Sequence, residues 1–122
     1  MIFSASVSPA NAAAALASIQ IIQEEPERIE KLWSNTHLAF EVCKTLGLDT
    51  GDSATPIVPI YIRNYEKLLK VSSELFEDGI FVNPIVPPAV KEENVMLRFS
   101  FTSEHSPNDI EYALHKIKAL LN

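Results

Sequence analysis

The run Val95-Met96-Leu97-Arg98-Phe99-Ser100-Phe101 alternates strictly, with Val95, Leu97, Phe99 and Phe101 on one side and Met96, Arg98 and Ser100 on the other. A period of two is the pattern of an extended strand with one buried and one open face. Such a strand belongs in a sheet that other elements cover mainly on one side. On the open side Arg98 is the lone cation. Its guanidinium does not lose its charge and offers two parallel N–H donors to a planar anion, so it suits a carboxylate or a phosphate. Two readings follow from the strand alone. Arg98 pairs with a neighbouring Glu or Asp at the surface, the commoner situation, or it anchors an acidic substrate.

Helix signals surround this strand. Ser8-Pro9 opens a first helix, expected to run to about Glu25, whose Ala12 to Ala15 and Ala17 have high helix propensity. Pro26 opens a second helix with Glu27 and Glu30 in its first turn, and Ile29, Leu32, Trp33, Thr36, Phe40 and Cys43 form its predicted stripe. Gly47 stops it. Ile57 to Arg63 reads as a strand, in which Pro59 indicates an edge position or a bulge. Asn64 caps a third helix with Leu68, Leu69, Ser72, Leu75 and Phe76 on its predicted inner face, ended by Gly79. Ile80 to Asn83 is a short predicted strand and 84–94 a proline-rich loop. Ser106-Pro107-Asn108-Asp109 starts the last helix, whose stripe is Ile110, Ala113, Leu114, Ile117 and Leu120.

The order α-α-β-α-β-β-α predicts an α+β fold. A strand, a crossover helix and two further strands make a split β-α-β unit, a small antiparallel sheet of about three strands with helices mainly on one face. The first helix fits less well. Its alanines surround the axis, and Leu16, Ile19, Ile21 and Ile22 share no clean face, so it is expected to pack on something outside this core.

At 122 residues the chain fits one domain. Ten Lys and Arg scattered among 16 Asp and Glu, for a net charge of −6, argue against nucleic acid as a partner. The single cysteine, Cys43, excludes an internal disulfide and fits a reducing compartment as a small apolar helix residue. Met1-Ile2-Phe3 lacks the basic start of a secretory leader, and no apolar run reaches the roughly 18 residues of a membrane span. The expectation is a soluble, cytoplasmic chain with no transmembrane segment.

Nothing in the motif spacing makes a complete catalytic centre. His37, His105 and His115 form no spaced ligand pair for a metal, and His105, just before the last helix, is expected to hold the strand-to-helix turn. With only Gly47, Gly51 and Gly79, no glycine-rich phosphate cradle exists.

The segment Gly79-Ile80-Phe81-Val82-Asn83-Pro84-Ile85-Val86-Pro87-Pro88-Ala89-Val90, followed by Leu97-Arg98-Phe99-Ser100 and Thr102-Ser103-Glu104-His105-Ser106, resembles the C-terminal part of the α-oxoamine synthases. The likeness extends upstream through Ser53-Ala54-Thr55-Pro56, Leu32-Trp33-Ser34-Asn35, Glu25-Pro26-Glu27 and Phe3-Ser4-Ala5-Ser6, in order along essentially the whole chain. The resemblance implies the C-terminal small domain of the pyridoxal phosphate (PLP) enzymes of the aspartate-aminotransferase fold. These are transferases that condense an amino acid with an acyl-coenzyme A, with decarboxylation. The patterns around Phe81 and Pro87-Pro88 are closer to 8-amino-7-oxononanoate synthase and serine palmitoyltransferase than to the aminolevulinate branch. By the same resemblance, Arg98 holds the amino-acid carboxylate as the substrate-binding residue, Ser4 contacts the phosphate of the cofactor held by the partner subunit, and the full-length enzyme is a homodimer.

The departures define a further expectation. None of Lys31, Lys44, Lys67, Lys70, Lys91, Lys116 and Lys118 stands in the family's Ser/Thr-x-x-Lys setting of the PLP lysine. Residues 1–122 are therefore expected to be a single C-terminal small domain, catalytically inactive alone and without a catalytic residue of its own, with residues 1–25 an Ala-rich helix that packs on an absent large domain or partner. A stand-alone α+β binding or regulatory module, and the small domain of another aminotransferase-fold enzyme, are the competing readings.

Overall fold

Proline and glycine punctuation places most elements where the sequence predicts them. The computed structural model describes residues 6–122. The elements are α1 (Pro9–Glu24), α2 (Glu27–Leu46), β1 (Ile57–Tyr61), α3 (Tyr65–Glu77), β2 (Asn83–Ile85), a 3-10 turn (Glu92–Asn94), β3 (Met96–Ser100) and α4 (Pro107–Leu121). Ser8 and Asn64 accept the backbone N–H groups of Asn11 and Lys67, which satisfies donors that each helix start leaves unpaired. At α4 the cap is reciprocal: Ser106 Oγ accepts from the Asp109 N–H while the Asp109 carboxylate accepts from Ser106. Gly47 ends α2 in the left-handed region at φ 66°, a conformation that costs glycine nothing.

The sheet has the order β1-β3-β2, and both pairings are antiparallel, so the strand of strict alternation is the central one. The backbone bonds that flank β1 and β3 set its polarity. Phe101 N–H donates to the Pro56 carbonyl at 3.1 Å and Ile62 N–H to the Val95 carbonyl at 3.2 Å. The odd-numbered residues of β3 thus turn their backbone groups to β1, and Met96, Arg98 and Ser100 turn theirs to β2. Pro59, opposite Arg98, and Pro84, opposite Leu97, therefore both have their missing N–H on an outer edge. This is the one place a sheet tolerates proline without losing a ladder bond.

Val58 and Ile60 from β1 and Val95, Leu97 and Phe99 from the β3 segment are buried against Leu68, Val71 and Leu75 of α3 and Ile110, Leu114 and Ile117 of α4. Ala39 and Cys43 complete the core from α2. Burying a Leu or Ile side chain contributes about 1.5–3 kcal/mol, so these side chains decide which face of each element turns inward. The other face of the sheet, with Ile57, Arg98 and Asn83, is exposed.

Three expectations need correction. The second strand is Asn83–Ile85 rather than Ile80–Asn83, because β3 offers partners only to those residues, and Phe81 is left 83% exposed. On α3 the buried line is Leu68, Val71 and Leu75, and Leu69 and Phe76 lie one residue step, about 100°, round the helix in solvent. On α2 burial begins only at Asn35, so the first turns with Ile29 and Trp33 extend past the core. As the sequence suggests, α1 has no buried residue, and Leu16, Ile19 and Ile22 are each more than half exposed.

Candidate functional site

Register places the site on the open face of the sheet. Arg98 sits mid-way along the central strand, between Asn83 on β2 and Pro59 on β1. The same face carries Ile85, Met96 and Tyr61 in the next row and Ser100 with Ile57 in the row on the other side. Arg98 is exposed, and among the described residues it has no ion pair and no hydrogen bond. Acids on the flanking loops are turned to other cations: Glu93 lies 3.9 Å from Lys91 and Glu104 3.3 Å from Arg28. A cation held on the central strand, between Asn83 and Pro59 and with no partner among the described residues, can give both terminal N–H groups to an incoming carboxylate.

The turn that follows β3 is built to be stiff. Asn35, 3% exposed on α2, donates both amide hydrogens, one to the Thr102 carbonyl at 3.0 Å and one to the His105 carbonyl at 2.9 Å. His105 Nδ1 lies 3.0 Å from the Thr102 backbone N–H. An N–H can only donate, so Nδ1 is the accepting nitrogen of that hydrogen bond. This bears out the expectation for His105. Asn35 was not singled out as a clamp from the sequence, since it sits one position before the apolar Thr36 stripe. A polar residue beside a helix stripe is the available signal, and it is weak.

A separate cavity of about 330 Å³ opens between the end of α3, the end of β3 and the start of α4, with Phe81, Phe101, His105 and Tyr112 among its walls. Its carboxylates are already engaged. Asp78 pairs with Lys116 at 2.7 Å, and Asp109 accepts the Ser106 hydroxyl at 2.7 Å, a bond that holds its carboxyl below the usual carboxylate range. The cavity therefore presents an aromatic wall without a free ionic group. Cys43 is equally unsuited to chemistry, because burial pushes its thiol up to about 11.

Ser4 lies outside the described residues. Of the lysines, Lys67 donates to the Leu121 carbonyl, Lys70 faces Glu74, Lys91 faces Glu93 and Lys116 faces Asp78. No helix among the described residues is long and apolar enough to cross a membrane.

Comparison with known proteins agrees with this geometry. A serine palmitoyltransferase of Sphingobacterium spiritivorum is 43% identical over 117 residues, which cover 96% of this chain and 29% of that protein. An 8-amino-7-oxononanoate synthase of Thermosipho melanesiensis is 39% identical over 117 residues, 96% of this chain and 30% of that protein. Among solved structures, a serine palmitoyltransferase variant from S. paucimobilis with bound PLP and myriocin superposes with a TM-score of 0.86 at 30% identity, over 98% of this chain and 30% of that one. The chain thus spans about 30% of the length of the relatives it matches. The sequence model of aminotransferase class I and II matches residues 1–117, and with it the α+β architecture and the open, arginine-bearing sheet find their place: the chain belongs to the class I and II aminotransferase family.

Proposed function

We propose that the chain is the C-terminal small domain of a PLP-dependent acyltransferase that condenses an amino acid with an acyl-coenzyme A, with decarboxylation, in the manner of 8-amino-7-oxononanoate synthase or serine palmitoyltransferase. The observation that carries this reading is Arg98, an exposed guanidinium on the central strand of the sheet with no partner among the described residues. The full-length protein is a homodimer in this reading. A large domain outside this chain supplies the PLP lysine, α1 packs on that domain or on the partner, and Ser4 reaches the cofactor phosphate of the partner subunit. A cytoplasmic setting suits the buried thiol of Cys43.

PLP, when bound, supplies the electron sink for the reaction. The described residues do not form its site, and their contribution is to hold the substrate. Two parallel N–H bonds from Arg98 fix both oxygens of the amino-acid carboxylate, which removes rotation about the bond to Cα. The bond to be broken is then held in one orientation relative to the cofactor ring, where a freely rotating carboxylate would sample many. Arg98 stands on a central strand whose following turn is clamped by Asn35 and His105, so the anchor itself has little freedom to drift.

The test is Arg98→Ala and Arg98→Lys in the full-length protein. The Ala variant should weaken equilibrium binding of the amino acid roughly hundredfold, since charge-assisted bonds are lost, and should leave PLP retention unchanged. The Lys variant keeps the charge but not the fork, and should recover only part of the affinity. Unchanged amino-acid affinity in Arg98→Ala would refute the assignment. Turnover of L-serine with a palmitoyl thioester separates the palmitoyltransferase-like branch from the other.

A further inference from the structure

We propose that Asn83 is a second carboxylate-positioning residue, working with Arg98 as a two-armed clamp on the amino-acid substrate. This rests on the reading of Arg98 as the carboxylate anchor and extends it to a residue that motif spacing does not single out.

The placement comes from register and backbone polarity. Asn83 is the direct cross-strand partner of Arg98 in the β2–β3 pairing. Because the even-numbered residues of β3 turn their backbone groups to β2, this is a hydrogen-bonded pair, with its Cα atoms about 5.5 Å apart and its side chains on the same face. Both residues are exposed. The facing position on β1 is Pro59, which can donate nothing. Ser100, the next polar side chain on this face, lies two residues further along β3, roughly 7 Å away. Asn83 is thus the only side-chain amide beside the guanidinium among the described residues of the sheet.

Asparagine is also the wrong residue for a strand on propensity grounds, and the other structurally used asparagines show what it usually does. Asn64 caps a helix and Asn35 ties down a turn. The Asn83 side chain makes no hydrogen bond among the described residues, so neither a cap nor a turn explains it. A local rule broken next to a proposed ligand, without a structural return, points to the ligand. A carboxylate gripped by two guanidinium N–H groups still has lone pairs open, and the Asn83 amide can donate to one of them from the β2 side.

The experiment measures equilibrium dissociation constants of L-serine, L-alanine and ethanolamine for the full-length, PLP-loaded protein, by the change in cofactor absorbance, with the wild type, Asn83→Ala, Asn83→Asp, Arg98→Ala and Asn83→Ala/Arg98→Ala. The amino acids should bind Asn83→Ala about 10- to 100-fold more weakly, the loss expected for one hydrogen bond to a charged group. Ethanolamine, which lacks the carboxylate, should be unaffected. Asn83→Asp should be worse than Asn83→Ala, because it sets a like charge beside the carboxylate. In the double variant the effect of Asn83→Ala should shrink, as for two groups that hold one ligand. Normal affinity for both amino acids in Asn83→Ala, with Arg98→Ala impaired, overturns the role of Asn83 and leaves that of Arg98 standing. Equal losses for ethanolamine and L-serine overturn it as well, since the carboxylate is then not what Asn83 reads. Normal affinity in Arg98→Ala overturns the underlying reading. PLP absorbance without amino acid, and circular dichroism of each variant, identify any loss due to misfolding, and Asn83→Ser then serves as the smaller perturbation with the same expected pattern.

Discussion

Replacing Asn35 by Ala should loosen the turn that follows the central strand, and its cost can be worked from the contacts. The side chain is 3% exposed and gives both amide hydrogens to backbone carbonyls, at 3.0 and 2.9 Å. Each such bond contributes about 0.5–1.5 kcal/mol net, so the pair contributes about 1–3 kcal/mol. A loss of about 2 kcal/mol corresponds to a urea midpoint lower by about 1 M, with a slope of about 2 kcal/mol/M, and to a Tm lower by roughly 6–10 °C. Asn35→Asp is the sharper variant, because it keeps the shape but turns a carboxylate oxygen toward an acceptor where an N–H had been. It should cost more than Asn35→Ala at pH 7. The new carboxyl, desolvated and facing carbonyl oxygens, has its folded-state pKa raised above the unfolded value near about 3.9. Its folded form then binds the proton more tightly than the unfolded chain, so stability is highest below that value, falls as pH rises through the folded pKa and is level above it. Urea unfolding followed by circular dichroism at several pH values checks both variants. An Asn35→Ala loss under about 0.5 kcal/mol, or an Asn35→Asp profile parallel to that of Asn35→Ala at every pH, would refute the clamp.

Leu97→Ala, at a fully buried site in the middle of β3, should cost about 2–5 kcal/mol in the same unfolding assay. The Cys43 thiol should react with a disulfide reagent at pH 8 at least about 100-fold more slowly than a free thiol and should reach the free rate in denaturant, since burial holds its pKa up at about 11. Asp49 is held below the usual carboxylate range first by the Arg63 hydrogen bond and then by the Gly51 N–H, and Asp109 first by the Ser106 hydroxyl. Both lowered values give stability that is present above the unfolded pKa and lost as pH falls through the folded one, so Asp49→Asn and Asp109→Asn should each flatten the acid-side decline below about pH 4 in thermal melts. The isolated chain should self-associate through the exposed apolar residues of α1 in sedimentation velocity. Replacing Leu16, Ile19 and Ile22 by Ser should shift it toward monomer, and a wild-type chain that is strictly monomeric contradicts the exposed helix.

Helix starts and stops were legible because caps are local. Ser8, Asn64 and Ser106 each bond a backbone N–H three residues on, and Gly47 takes a positive φ that its own sequence position announces. Boundaries between helices and strands were less so. Phe81 has the hydrophobicity of a buried strand residue and is 83% exposed, because burial depends on whether a partner strand extends that far. Leu69 and Phe76 were placed on the wrong side of α3 for a related reason. Six apolar or small residues on one helix permit two stripes about 100° apart, and only the packing of α3 against the sheet and α4 selects Leu68, Val71 and Leu75.

The sequence by itself determined the strand of strict alternation, Pro59 as an edge or bulge residue, the α+β order and Arg98 as the residue to explain. All of these depend on periodicity or on the covalent limits of one residue, which act over a few positions of chain. Tertiary structure decided what Arg98 stands beside. That Asn83 and Pro59 flank it, that no acid reaches it, and that Asn35 reaches across 67 residues of chain to the Thr102 carbonyl follow from register and packing. A one-residue slip in the β2–β3 pairing would keep every local pattern in the sequence and turn Asn83 away from the guanidinium, so the pair exists only once the buried faces of the packed strands and helices have chosen a single alignment.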